Sequence, residues 1–170
     1  STMKKLLVIA SVLIVSISHM AFSAGSSSSS SSGSSNSYGA AKKYAETRSK
    51  SDLELKEVRT AIAREDYKTA IAEVNVILEK KPSFADAWNL LGYSSRKSGD
   101  FKTAEAAYKK ALAIDPKHTQ AMEYMGEMYL SLNQPAEAEK LLFRLNKLCS
   151  FNCEDRDLLK AAIKQYKATR

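Results

Sequence analysis

Residues 85–118 read ADAWNLLGYSSRKSGDFKTAEAAYKKALAIDPKH, and this stretch decides the fold. It reads as two helices and one turn. Trp88 and Leu91 are three apart, so on a helix both point to one face. Ser98-Gly99-Asp100-Phe101 is a turn in which Gly99 ends the first helix and Asp100 caps the second. Asp115-Pro116 closes the second helix, because proline disfavours helix at the residue before it. Gly92 sits inside the first helix, where glycine costs about 1 kcal/mol relative to alanine. That cost implies close approach of a neighbouring helix, with Ala104 as the expected small partner.

The same signals recur outward from this segment at a spacing of 34 residues. Pro82 pairs with Pro116, Asp66-Tyr67 with Asp100-Phe101, Gly92 with Gly126, and Ala70 with Ala104 and Ala138. A period of this length is the signature of a helix–turn–helix solenoid. Trp88, Leu91, Gly92, Ala104, Tyr108, Ala111 and Pro116 stand at repeat positions 4, 7, 8, 20, 24, 27 and 32. In this register the chain resembles the tetratricopeptide repeat family.

The resemblance implies an all-α solenoid of three repeats, about 51–84, 85–118 and 119–152, within a domain spanning 51–170. Repeat one is degenerate, with Glu54, Glu57 and Val58 where Trp, Leu and Gly are expected. A terminal repeat exposes one face to water, so a weaker first helix is physically reasonable. In repeat three Met122, Met125 and Gly126 take the same positions, Ala138 matches Ala104, and Pro135 falls near the start of the second helix. Residues 154–169 form a final amphipathic helix, with Leu158, Leu159, Ala162, Ile163 and Tyr166 as its stripe. This capping helix should cover Leu141, Leu145 and Leu148 of repeat three.

Ahead of the repeats lie two segments of different character. Lys4-Lys5 followed by the uncharged run Leu6–Ile17 and the small residues Ala21–Gly25 reads as an export signal over residues 1–25. The run is short for a membrane span, which needs roughly 20 apolar residues, and no Cys follows it for lipid attachment. Ser1-Thr2 ahead of Met3 reads as a remnant of cloning. Residues 26–50 are a Ser-rich flexible tether with a basic end, Lys42, Lys43, Arg48 and Lys50. The expected location is therefore outside the cytoplasm, periplasmic in a Gram-negative cell and otherwise secreted. Membrane contact is expected only through an uncleaved signal or the basic tether.

The net charge of +7 divides unevenly: residues 1–50 carry +5 and the repeats only +2. A nucleic-acid binder needs its basic stripe on the folded face, so nucleic acid is not the expected partner. Two Cys and two His cannot build a Cys₄ or Cys₂His₂ metal cage. Met122, Met125 and Met128 could bind Cu(I) as thioethers, but Met122 and Met125 fall on core positions. His118 has no Ser or Cys partner at motif spacing. The expectation is a non-enzyme without metal or cofactor.

Cys149 and Cys153 flank the turn before the capping helix, with Asn152 as its expected N-cap. In an oxidising compartment they should form a disulfide across that turn. A thiol-redox or metal-handling accessory is the alternative, although there is no Cys-x-x-Cys.

The family resemblance also implies a concave groove lined at repeat positions 2, 5, 9, 12 and 13. In repeat one these are Asp52, Leu55, Arg59, Ile62 and Ala63. In repeat two they are Asp86, Asn89, Tyr93, Arg96 and Lys97, and in repeat three Gln120, Glu123, Glu127, Leu130 and Ser131. The groove is mixed in sign, with Arg59, Arg96 and Lys97 as its basic part in repeats one and two and Asp52, Asp86, Glu123 and Glu127 acidic; the basic part points to an acidic or carboxylate-ended partner segment, with Asp52 and Asp86 opposing it. Family members that clamp a C-terminal carboxylate use Lys, Asn and Arg at set positions. Here Gln120 and Tyr124 stand where repeat three would need Lys and Arg. The resulting functional expectation is a non-catalytic protein–protein interaction module or scaffold of the bacterial cell envelope. A structural subunit of an envelope complex is the alternative.

Overall fold

The repeat period sets the backbone turns. A computed structural model describes residues 50–170; the expected export signal and the expected tether up to residue 49 lie outside the described residues. Residues 50–54 are helical and pass through a turn at Leu55 into α1, Lys56–Ala63. Then follow α2 (Tyr67–Lys80), α3 (Ala85–Lys97), α4 (Phe101–Ile114), α5 (Thr119–Ser131), α6 (Pro135–Leu148) and α7 (Glu154–Ala168). There is no strand among the described residues. The described residues all fall in a single unit.

Each turn within a repeat needs one residue in the left-handed region. These are Glu65 (φ 58°), Gly99 (φ 85°) and Asn133 (φ 60°), 34 apart. Each is followed by a residue whose N–H closes the helix end, as in Asp66 to Ala61, Asp100 to Ser95 and Gln134 to Tyr129. This is a helix-ending motif in which the residue after the left-handed one bonds back five positions. Asp66 and Asp100 then cap α2 and α4, accepting from the N–H of Thr69 at 3.1 Å and of Thr103 at 3.0 Å. Pro135 takes the first position of α6, where its missing N–H costs nothing.

Two apolar clusters form the core. The first joins Leu55, Val58, Val74, Leu78, Leu90 and Leu91; the second joins Tyr108, Met122, Met125, Met128, Leu141, Leu145, Leu159 and Ile163. Val58 is fully buried, so the residue replacing glycine in repeat one fills space that Gly92 and Gly126 leave to a neighbour. Trp88 is half-buried rather than central. It touches both clusters, and its indole N–H donates to the Pro82 carbonyl at 2.8 Å.

Four expectations need correction. A Cβ on Gly92 would meet the Tyr108 ring first, at 2.6 Å, and one on Gly126 would meet Leu159 of α7 at 2.5 Å, so Ala104 and Ala138 are not the closest neighbours. Asn152 does not cap α7: it lies at φ 46° in the turn, and Cys153 holds the cap position without a side-chain capping hydrogen bond. Leu148 and Leu158 are exposed, because α7 covers only Leu141 and Leu145 of that list. The α7 stripe is correspondingly narrow, with Leu159 and Ile163 buried and Ala162 and Tyr166 half-buried.

Candidate functional site

Stacking of the first helices of successive repeats follows a simple offset. Asn89 Nδ2 donates to Gln120 Oε1 at 2.9 Å, the Tyr93 and Tyr124 rings lie 4.8 Å apart, and Arg96 Nη1 donates to Glu127 Oε2 at 3.0 Å. Each pair is 31 residues apart, one repeat less about one helical turn. Asn89, Tyr93 and Arg96 are spaced i, i+4, i+7 along one face of α3, so three residues bind the same neighbouring helix.

Position 5 lies deeper than the groove assignment requires. Leu55 is 0% exposed, Asn89 1% and Glu123 2%. These three side chains lie between helices and do not line the concave surface. The Asn89 amide is left with Oδ1 unpartnered. Glu123 is buried beside a second carboxyl: burial first, and then the charge of Glu127, push its carboxyl up to about 8.

Arg96 is the centre of this seam. Its side chain is only 13% exposed, its guanidinium is bonded to Glu127, and it lies 5.4 Å from the Tyr93 ring centroid and 5.9 Å from that of Tyr124. Tyr67, from the second helix of repeat one, extends the aromatic row edge-on to Tyr93 at 6.4 Å. Burial raises the Tyr124 hydroxyl to about 12, so it stays protonated and able to donate. Arg59 lies 3.7 Å from Asp52 across exposed side chains. Of the expected basic group, only Lys97 is exposed with no ion pair among the described residues. The basic part of the mixed groove is thus largely engaged in pairs within the chain.

Nearer the start of the first helices the surface opens into a basin of about 870 Å³. Asp52, Arg59, Asp86, Asp115, Lys117, His118, Gln120, Glu154 and Asp155 line it. His118 caps α5: its Nδ1 accepts from the Ala121 N–H at 3.1 Å, which leaves the Nε2 hydrogen to face Asp86 Oδ1 at 2.9 Å. Five carboxylates then face two cations in the basin lining.

The cysteine pair closes the turn before α7. The Cys149 and Cys153 sulfurs lie at bonding distance, with the Cα atoms 5.6 Å apart. Arg156 Nη1 also holds this turn through the Cys149 carbonyl at 2.9 Å. Met122, Met125 and Met128 are all buried in the core. Among the described residues no three of His, Cys, Asp or Glu converge on a metal position. Sequence reasoning missed the contribution of Tyr67 to the aromatic row and of Asp115, Lys117, Glu154 and Asp155 to the basin. These residues stand in inter-repeat turns and at helix starts, outside the family's groove positions.

Comparison with known proteins agrees with this geometry. Two tetratricopeptide repeat profiles match residues 55–118 and 95–148, which together span more than half of the chain. The chain is similar to Tetratricopeptide repeat protein 37 of Xenopus laevis, 31% identical over 87 residues, which are 51% of this chain and 6% of that protein. It is also similar to Protein FlbA of Caulobacter vibrioides, 32% identical over 80 residues, 47% of this chain and 13% of that protein. It thus aligns with only a small part of either relative. Among solved structures it resembles the first TPR of Spaghetti (RPAP3) bound to HSP90 peptide SRMEEVD, with a TM-score of 0.60 and 19% identity over 71% of this chain and 94% of that one.

Proposed function

The chain belongs to the tetratricopeptide repeat family, and from that premise we propose that it holds an extended segment of a partner protein in its concave groove, in the bacterial cell envelope. The family's repeats act as protein–protein interaction modules, typically without catalysis. One observation carries the groove reading. Tyr67, Tyr93 and Tyr124 form a row across three repeats, half-buried, on a floor stiffened by Arg96 and Glu127. Aromatic rings offer large contact area at small conformational cost, and their hydroxyls can bond an extended backbone. Repeat stacking holds the row in place before any partner arrives, which reduces the ordering cost of binding. The Spaghetti (RPAP3) structure gives a precedent for peptide capture by a fold of this kind.

The envelope location rests on the sequence alone, on Lys4-Lys5, the apolar run Leu6–Ile17 and the paired cysteines. The mature chain would begin near residues 24–26.

A photo-crosslinking residue at Tyr93, in the groove, compared with one at Val76, 49% exposed on α2, tests the reading in living cells. A partner is expected to crosslink from Tyr93 and not from Val76. Crosslinks from Val76 alone would place the contact on the outer helices and favour the structural-subunit reading.

A further inference from the structure

We propose that the chain associates with a second copy of itself, the turn Cys149–Cys153 of one copy seating Phe151 in the cleft beside Pro82 and Phe84 of the other. This goes beyond the groove reading and does not depend on it.

The turn is built to be met by something apolar. Phe151 is 83% exposed, the most exposed large apolar side chain among the described residues. Leu148 at 39% and Leu158 at 48% are open to water as well. Leu158 borders a hollow of about 490 Å³ together with Asn152, Cys153, Glu154 and Asp157, so these apolar side chains gather around one turn. Single apolar residues scattered over a surface are ordinary, whereas a group rimmed by charge marks an interaction site. The Cys149–Cys153 link and the Arg156 bond to the Cys149 carbonyl hold the turn, so Phe151 is presented at little further ordering cost. The rim is acidic. It carries Glu154, Asp155 and Asp157 against Arg156, and the N-terminus of α7, worth roughly half a positive charge, does not cancel the excess.

The cleft has the complementary character. It holds about 460 Å³ and is lined by Pro82, Ser83 and Phe84 with Lys50, Glu54 and Lys81. A cavity of about 150 Å³ takes a benzene ring, so the cleft has room for Phe151 and part of a neighbouring side chain. Lys81 is paired with Glu54 and stands over the Phe84 ring, which leaves Lys50 as the lining charge with no ion pair among the described residues. An apolar cleft with a positive edge thus matches an apolar turn with a negative rim. Two turns do not suit each other, because their pairing would bring two acidic rims together. The turn from Lys81 to Phe84 and the turn from Cys149 to Cys153 both follow second helices, so both patches lie on the edge where first helices start.

Sedimentation velocity of the full chain tests this over roughly 1–500 µM, where contacts of micromolar affinity are populated. The parent is expected to self-associate, less so with added salt. Phe151→Ser and Ser83→Glu are each expected to weaken association at least tenfold with unchanged melting, since both sites are exposed. Ser83→Glu sets a carboxylate in the cleft against the acidic rim. The Phe151→Ser chain keeps its cleft and the Ser83→Glu chain keeps its turn, so an equimolar mixture should associate more tightly than either chain alone. A parent that stays monomeric across the range overturns the assignment, as does association that persists in both variants. A mixture no tighter than its components also overturns it, because the turn and the cleft would then not be each other's partners.

Discussion

Replacing Gly92 by Ala tests a close helix approach against a rigid ring. On helix propensity alone the change should stabilise the chain by about 1 kcal/mol. The new Cβ, however, would stand 2.6, 2.7 and 3.0 Å from three carbons of the Tyr108 ring. Ordinary carbon contacts are about 3.5–4.0 Å, so α3 and α4 must part by roughly 1 Å or the ring must move. The ring has little room, since Tyr108 is 0% exposed and its hydroxyl is enclosed without a partner. Overpacking of this kind costs about 1–3 kcal/mol, and a rigid ring puts this site near the upper end. The expected net loss is about 1–2 kcal/mol, or roughly 5–10 °C in melting temperature for a folded part of this size.

Urea unfolding followed by helical circular dichroism measures this loss, provided the slope is unchanged. A double-mutant cycle with Tyr108→Val should show coupling of about 1 kcal/mol or more, because the smaller side chain makes room for the methyl. Gly126→Ala is the internal comparison. Its Cβ would meet the Leu159 methyl groups at 2.5 and 2.7 Å, which are the flexible end of a side chain on α7. It should cost less and loosen α7 first. A Gly92→Ala chain that melts higher than the parent, or a cycle without coupling, would refute the close-packing argument.

Glu123 predicts an inverted pH response. Its buried carboxyl keeps its proton up to about 8, whereas the unfolded chain releases it near the ordinary glutamate value of 4.5. The folded state therefore holds the extra proton between these values, and stability should fall as pH rises through that window, by up to about 1.4 kcal/mol per pH unit. Glu123→Gln, an amide that mimics the protonated acid, should flatten the fall in urea midpoints measured from pH 5 to 9; an unchanged slope would show that Glu123 does not titrate there. The Cys149–Cys153 link closes a short loop, so Cys149→Ser with Cys153→Ser should cost about 1–3 kcal/mol. Hydrogen exchange should then accelerate in residues 154–168 more than in 85–114. Two thiols that titrate freely in unreduced, envelope-purified protein would refute the link.

The repeats were legible because their markers are conformational. Gly99, Asp100 and Pro116 each report a backbone requirement that few other residues meet. The equivalent left-handed positions at Glu65 and Asn133 are filled by residues that tolerate the strain less well, so only the 34-residue register reveals them. Depth was less legible. Asn89 and Glu123 are polar, and polar side chains on a helix are read as surface. Whether they face water depends on the helix stacked against them, and for Glu123 that includes α7, which lies outside the repeat pattern.

The pairing of Arg96 was hidden for a related reason, one that the sequence could have exposed. Residue types alone group Arg59, Arg96 and Lys97 as the basic part of a groove of mixed sign. Pairing each α3 residue with the residue 31 further on matches Arg96 to Glu127, Tyr93 to Tyr124 and Asn89 to Gln120, as the structure does. The offset is geometric: neighbouring first helices are displaced by one repeat, and the tilt of the stack sets contacts back by about one turn. Applied to repeat one, the same step carries Ile62 to Tyr93 and Leu55 to Asp86. Charge in a solenoid groove is therefore a property of pairs one period less one turn apart. A cation whose partner at that offset is acidic contributes to stacking, and the charge left for a ligand is what remains after those pairs are removed.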